Sequence, residues 1–220
     1  MLMGPWTHGS NTLELSYAGD VEFGADAALD SFRDLHLRYF DSALKGRDTG
    51  EADAPPVRIF IMGGGGGYRT SGGRLFHGGR WRDEETWPPD GMVPTPWYLR
   101  SGGHANGNDG DGILSPVPPL DEPADEYDYD PRDPVMTIYT MEGQQVPMDQ
   151  RRLDGRQDIL SYTSAPLEVP IEVVGPVEVT LFASSSAPDT DFVAKLIDIH
   201  PDGFAQELCY GLVRARYRNG

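Results

Sequence analysis

The chain has 220 residues, a formal net charge of −17 at pH 7 and a single cysteine, with 27 glycines and 19 prolines against a hydrophobic share of 38%. The acidic balance argues against nucleic acid or an anionic membrane as partner, and one cysteine excludes an internal disulfide and leaves secretion unsupported. No apolar run reaches the ~20 residues of a membrane span and no basic-then-apolar leader opens the chain, so the expectation is a soluble, cytoplasmic protein.

The opening MLMGPWTHGS sets His8 in a loop framed by Gly4-Pro5 and Gly9. On residue pattern alone His8 reads as a solvent-facing loop histidine. Between Ala25 and Lys45, apolar residues recur at Ala25, Ala28, Leu29, Phe32, Leu35, Tyr39, Phe40, Ala43 and Leu44. That spacing predicts one helix, with Asp26 as N-cap and Lys45-Gly46 as a cationic C-terminus followed by its C′ glycine. Residues 47–55 form a charged linker, and residues 56–63 read as a strand running into the glycines 63–67. That run lacks the Lys-Ser/Thr of a phosphate-binding loop and opens no helix, so it reads as a flexible hairpin tip. RWRDEETWPP (80–89) is turn-like, with Trp81 and Trp87 expected to plug a domain interface, and TPWYLR (95–100) is a short strand. Residues 104–134 hold nine acids against the single Arg132, the pattern of a solvated excursion. Within it GNDGDGI (107–113) fails the calcium-loop template, because Gly110 stands where a ligand is wanted and no glutamate closes the loop.

From Val135 onward strands are predicted at 135–140, 158–167, 171–185, 191–200 and 204–217, with Gly175-Pro176 and Pro201-Asp202-Gly203 as corners. Many short strands without intervening helices indicate a mainly β fold, a β-sandwich or jelly roll. Asp189 and Asp191 are expected to cap a turn, and Cys209 to be a small buried hydrophobe. His36 falls on the helix surface, His77 and His104 in glycine-rich loops, and His200 before a turn. None of these has ligand spacing on a predictable element, so no metal and no cofactor are expected. The chain starts on Leu2-Met3 and stops at RARYRNG as if a sheet were cut at both ends, which reads as a fragment.

Seven stretches in order carry a resemblance: MGPWTHG (3–9), VRIFIMG (57–63), GRWRDEETWP (79–88), YDPRDPV (129–135), MDQRRLDGRQDILSYTSAPLE (148–168), VVGPVEVTLFASSSAPDTDFVAKLIDIHPDG (173–203) and LCYGLVRARYRNG (208–220). Together they resemble the X-Pro dipeptidyl-peptidase, cocaine esterase and α-amino-acid ester hydrolase group of serine hydrolases. The resemblance implies an α/β-hydrolase domain, a helical cap and a C-terminal jelly roll. It makes residues 1–46 the last strand-loop-helix of the hydrolase domain and 56–220 the jelly roll. By the GPW-x-H motif His8 becomes the triad histidine, the general base that takes a proton from a serine and returns it to the leaving group. The order Ser…Asp/Glu…His of such enzymes agrees, since a strand end precedes His8 and a helix follows it. No G-x-S-x-G occurs in the chain. The nucleophile and the acid are therefore expected before residue 1, and this chain alone is expected to be inactive. The implied partner is a small ester, amide or peptide substrate; no nucleic acid or membrane is implied, and homo-oligomer contacts through the jelly roll stay open. The alternative from another class is a stand-alone jelly-roll module that binds carbohydrate or protein, which has no reason to carry GPW-x-H.

Overall fold

The strongest apolar strand signal builds the centre of the main sheet. In β4 (Val57–Met62) Val57, Ile59 and Ile61 are buried on one face, where Val174 packs on them, and Phe60 is buried on the other. Burial on both sides makes β4 the middle strand: β1 (Leu2–Met3) pairs parallel to it at Arg58 and Ile59, and β6 (Gly79–Glu84) antiparallel from Val57↔Glu84 to Met62↔Gly79. In this computed structural model residues 1–8, 12–138 and 147–218 are described. Strands outweigh helix, and the fold is mainly β.

The chain divides into two compact units, Met1–Asp90 with Ile138–Asp149 and Val174–Gly220, and Gly91–Thr137 with Gln150–Val173. The first unit also holds a small sheet of β2 (Tyr17–Ala18), β3 (Val21–Glu22) and β5 (Leu75–Phe76), and a long hairpin of β9 (Asp191–Ile199) and β10 (Ala205–Arg214). Its core gathers Ala18, Val21, Phe23, Ala27, Phe60, Leu75 and Phe204, with Trp81 packed against it. The turn between β9 and β10 is the expected Pro-Asp-Gly: the Gly203 N–H donates to His200 O at 2.8 Å and the Phe204 N–H to Asp202 Oδ1 at 3.0 Å. The second unit pairs β7 (Tyr98–Arg100) with β8 (Ile113–Ser115), with isolated bridges at Asn106↔Leu160 and Ile113↔Thr163.

Several sequence expectations change here. The helix α1 spans Phe32–Lys45, and its N-cap is Ser31, whose Oγ accepts the Asp34 N–H at 3.1 Å; Ala25–Ala27 form a separate 3-10 turn. Gly46 ends α1 in the left-handed conformation at φ 62, as the Lys45-Gly46 signal implied. Residues 79–84 are strand rather than turn. Their charges misled because β6 is an edge strand, where Arg58 pairs with Asp83 across the ladder at 2.8 Å and Arg82 pairs with Glu84 along the strand at 2.5 Å. Conversely, no strand forms over 171–185: Val173, Val177, Val179 and Leu181 are exposed and Phe182 fully so. Alternation encodes a strand able to pair, but among the described residues this stretch pairs with no strand. Residues 135–138 are likewise irregular, and the remainder of that predicted strand lies outside the described residues. Over 158–167 only the two bridges survive. Cys209 is exposed, beside a register shift between Glu207 and Cys209 that turns its side chain outward. Asp189 and Asp191 cap no turn; they pair with Arg216 and Arg214, the latter at 2.7 Å, and fasten the end of β10 to the start of β9.

The acidic excursion is more ordered than its composition suggests. Asp125 accepts from Ser101 Oγ at 2.6 Å, Tyr162 Oη at 2.7 Å and the Ala105 N–H at 2.8 Å, and Ala105 is fully buried. Asp111 accepts the Gly102 and His104 N–H groups at 2.9 and 3.2 Å. These carboxylates serve as backbone acceptors and hold loops together.

Candidate functional site

The loop that presents His8 is built from its flanking aromatics. A side chain at Gly4 would stand 2.5 Å from the Trp6 indole, so only glycine lets Trp6 fold back over the backbone there. Trp6 Nε1 donates to Ala27 O at 2.8 Å, and Trp81 Nε1 donates to Asp26 O at 2.6 Å. The two indoles lie 5.7 Å apart at 51°, and Trp81 meets Phe60 edge-on at 5.3 Å. Trp81 therefore ties the N-terminal segment to β4 and β6 within the first unit, while Trp87 is exposed. Beyond Trp6, the Thr12 hydroxyl donates to Thr7 O at 2.7 Å, closing the far end of the loop. His8 emerges between these ties, exposed to solvent.

Glu14 Oε1 accepts the Phe32 N–H at 2.9 Å at the start of α1, where the partial positive charge of the helix favours it. An exposed imidazole can exchange a proton with a group brought to it from solvent. The remaining sequence candidates scatter. His36 lies exposed on α1, its Nδ1 2.9 Å from Phe32 O, and Asn108 and Asp111 are spent on internal hydrogen bonds with Asp154 and with backbone N–H groups.

The glycine run 63–67 is no flexible tip. Its N–H groups continue the hairpin, Gly65 to His77 O at 3.1 Å and Gly66 to Phe76 O at 2.8 Å, and a Cβ at Gly63 would stand 2.6 Å from His77 O. The run packs against His77 and His200, which are both buried, with ring centroids 6.0 Å apart. Burial holds the His77 pKa below the usual imidazole range; the Gly78 backbone opposes this, His200 adds to it and Asp198 opposes it. His200 Nε2 lies 3.0 Å from Gln206 Oε1 and 3.6 Å from Asp198 Oδ2. Sequence spacing gave no hint of this group, because its members stand on distant segments. The one legible sign was the glycine run, a marker of close backbone approach.

A concavity of about 600 Å³ lies on the second unit and is lined by acidic residues with Arg156 among them. Arg156 is held by Asp158 at 2.6 Å and Asp133 at 3.3 Å, and Glu126, Asp128 and Asp130 leave the lining acidic overall.

Comparison with known proteins adds the following. Residues 49–220 match the family described as the X-Pro dipeptidyl-peptidase C-terminal non-catalytic domain. The chain is 40% identical to cocaine esterase of Rhodococcus sp. strain MB1 Bresler over 99% of its own length and 36% of that protein's. It is 31% identical to a protein of Mycobacterium bovis named, provisionally, a serine esterase, over 99% of this chain and 31% of that one. The chain therefore spans about a third of the length of the curated relatives it matches.

Proposed function

Because this chain belongs to the X-Pro dipeptidyl-peptidase and cocaine esterase family, we propose that it is the C-terminal part of a serine hydrolase that cleaves a small ester through an acyl-enzyme. In this reading residues 1–46 end the α/β-hydrolase domain and residues 56–220 form the jelly roll that frames the substrate pocket and offers surface for oligomer contacts. His8 is the general base. The serine that it activates and the acid that fixes its tautomer are supplied by residues outside these 220. The names of the matched relatives favour an ester over an X-Pro peptide. The single cysteine suits a cytoplasmic setting.

The observation that carries this reading is the loop Gly4-Pro5-Trp6-Thr7-His8, whose ties at Trp6 and Thr7 hold an exposed histidine out of the fold. A second support is α1, whose Leu37, Phe40 and Leu44 are all exposed along one stripe, an apolar face of the kind a hydrolase domain would cover. The test is p-nitrophenyl ester hydrolysis by the 220-residue chain and by a polypeptide extended with the preceding reading frame. Turnover is expected only from the extended protein and is expected to fall by at least ~10³-fold in His8→Ala. Turnover by the chain alone, or an extended His8→Ala variant that keeps full activity, overturns the assignment.

A further inference from the structure

Among the described residues one cluster has the composition of a metal site: His77, Asp198 and His200 each offer a ligand atom, and these atoms all lie within 4.8 Å of one another. We propose that they bind a divalent transition metal of the zinc class, clipping the β9–β10 hairpin to the segment between β5 and β6. This inference does not depend on the esterase reading.

Two imidazoles and a carboxylate suit Zn²⁺ far better than Ca²⁺ or Mg²⁺, which prefer all-oxygen sets. On a tetrahedral zinc with bonds of ~2.1 Å the donor atoms would sit about 3.4 Å apart, so the group must close by roughly 1 Å. Side-chain rotation of Asp198, which is 44% exposed, can supply much of that. The two rings, 6.0 Å apart at their centroids, are already near the spacing of roughly 5 Å that two imidazoles on one such ion adopt.

Independent support comes from polar atoms left without partners. His77 is 4% exposed, yet its Nδ1 has no hydrogen bond; Gln206 is fully buried, yet its Nε2 has none either. Orphaned polar atoms in an interior normally cost stability, and finding two around one three-donor cluster calls for a ligand. The surroundings are built for proximity. Gly65, at φ 83, brings backbone so near His200 that a Cβ would lie 3.3 Å from Cε1, and Phe23 and Phe204 pack on the two rings at 5.7 Å each. A cleft of about 260 Å³ lined by Gly67, Leu75, His200, Pro201 and Asp202 leads to His200 and gives an ion its entry. With three protein donors the fourth position falls to water.

The test is equilibrium dialysis of the full chain against Zn²⁺, with the visible d–d absorption of Co²⁺ as a geometric readout. One ion per chain and a tetrahedral Co²⁺ spectrum are expected. Asp198→Asn, at a half-exposed position that the fold tolerates, is expected to weaken binding by at least ~100-fold. His77→Gln and His200→Gln should do the same, with far-UV circular dichroism recorded on each variant. His36→Ala and His104→Ala should leave binding unchanged. Absence of saturable Zn²⁺ binding overturns the proposal. So does binding that survives in a folded Asp198→Asn variant or that disappears in His36→Ala.

Discussion

Asp125 is the sharpest test of how the acidic segment is organised. Its carboxylate is the common acceptor of Ser101, Tyr162 and the fully buried Ala105 N–H. Burial pushes its pKa up, but the bonds from Ser101, Ala105 and Tyr162 outweigh that and hold it below the usual carboxylate range. Asp125→Ala frees two hydroxyls that water can reach, at little expense. It also leaves one interior N–H unpaired, which costs about 1–3 kcal/mol, and the lost charge-assisted bonds bring the expected total to about 2–3 kcal/mol. Asp125→Asn keeps an acceptor for Ala105 and should cost about half as much. The pH dependence has a definite sign. Because the folded pKa is depressed, the contribution is fully present above the unfolded value near 3.9 and is lost as pH falls through the folded one. Hydrogen exchange of the Ala105 and Gly107 amides between pH 3 and 7 reads this locally, and urea unfolding reads it globally, where 2 kcal/mol moves the midpoint by roughly 1 M. Asp125→Ala with wild-type exchange rates at Ala105, or an acid limb that Asp125→Asn leaves unchanged, would refute the hub.

Three further substitutions probe other joints. Gly79→Ala places a Cβ 2.2 Å from Phe60 Cε1 and 2.7 Å from Ile61 O, at φ 149; it should lower stability by more than about 2 kcal/mol in a thermal melt, and a loss under 0.5 kcal/mol would show that the β4–β6 ladder yields there. Ser31→Ala removes the cap of α1 and should cost about 1 kcal/mol, read as reduced helicity by circular dichroism, whereas Asp26→Ala should leave helicity unchanged. Lys195→Met strips the ammonium from Glu207, whose side chain is 4% exposed and 2.7 Å from Nζ; a loss of about 3 kcal/mol in urea unfolding is expected, and a loss under about 1 kcal/mol would show that the pair is not needed.

Local signals survived the passage from sequence to structure, and signals that depend on a neighbour did not. The 3.6-residue apolar period located α1, and the Pro-Asp-Gly turn located the β9–β10 hairpin, because both are settled within a few residues. The start of the helix slipped from Asp26 to Ser31 since two cap-competent residues compete, and the one whose oxygen reaches the N3 amide wins. β6 was hidden by its charges, whose pairing across β4 no single-strand pattern reveals. Residues 171–185 erred the other way: alternation over 177–181, and no pairing to match it. For the candidate base, GPW-x-H was legible as a motif, but why glycine and tryptophan flank it became clear only from the indole lying over Gly4. The His77–Asp198–His200 group was illegible, because side-chain packing between segments far apart in sequence brings it together.

The Trp6–Trp81 pair gives this molecule an optical signature of its own. Two indoles 5.7 Å apart and inclined at 51° are close enough for their transitions to couple, and skewed enough for the coupling to be dichroic. The resulting exciton couplet reports whether the segment carrying His8 is seated on β6. Seating can therefore be followed in solution by light alone, with no label and with the histidine left untouched.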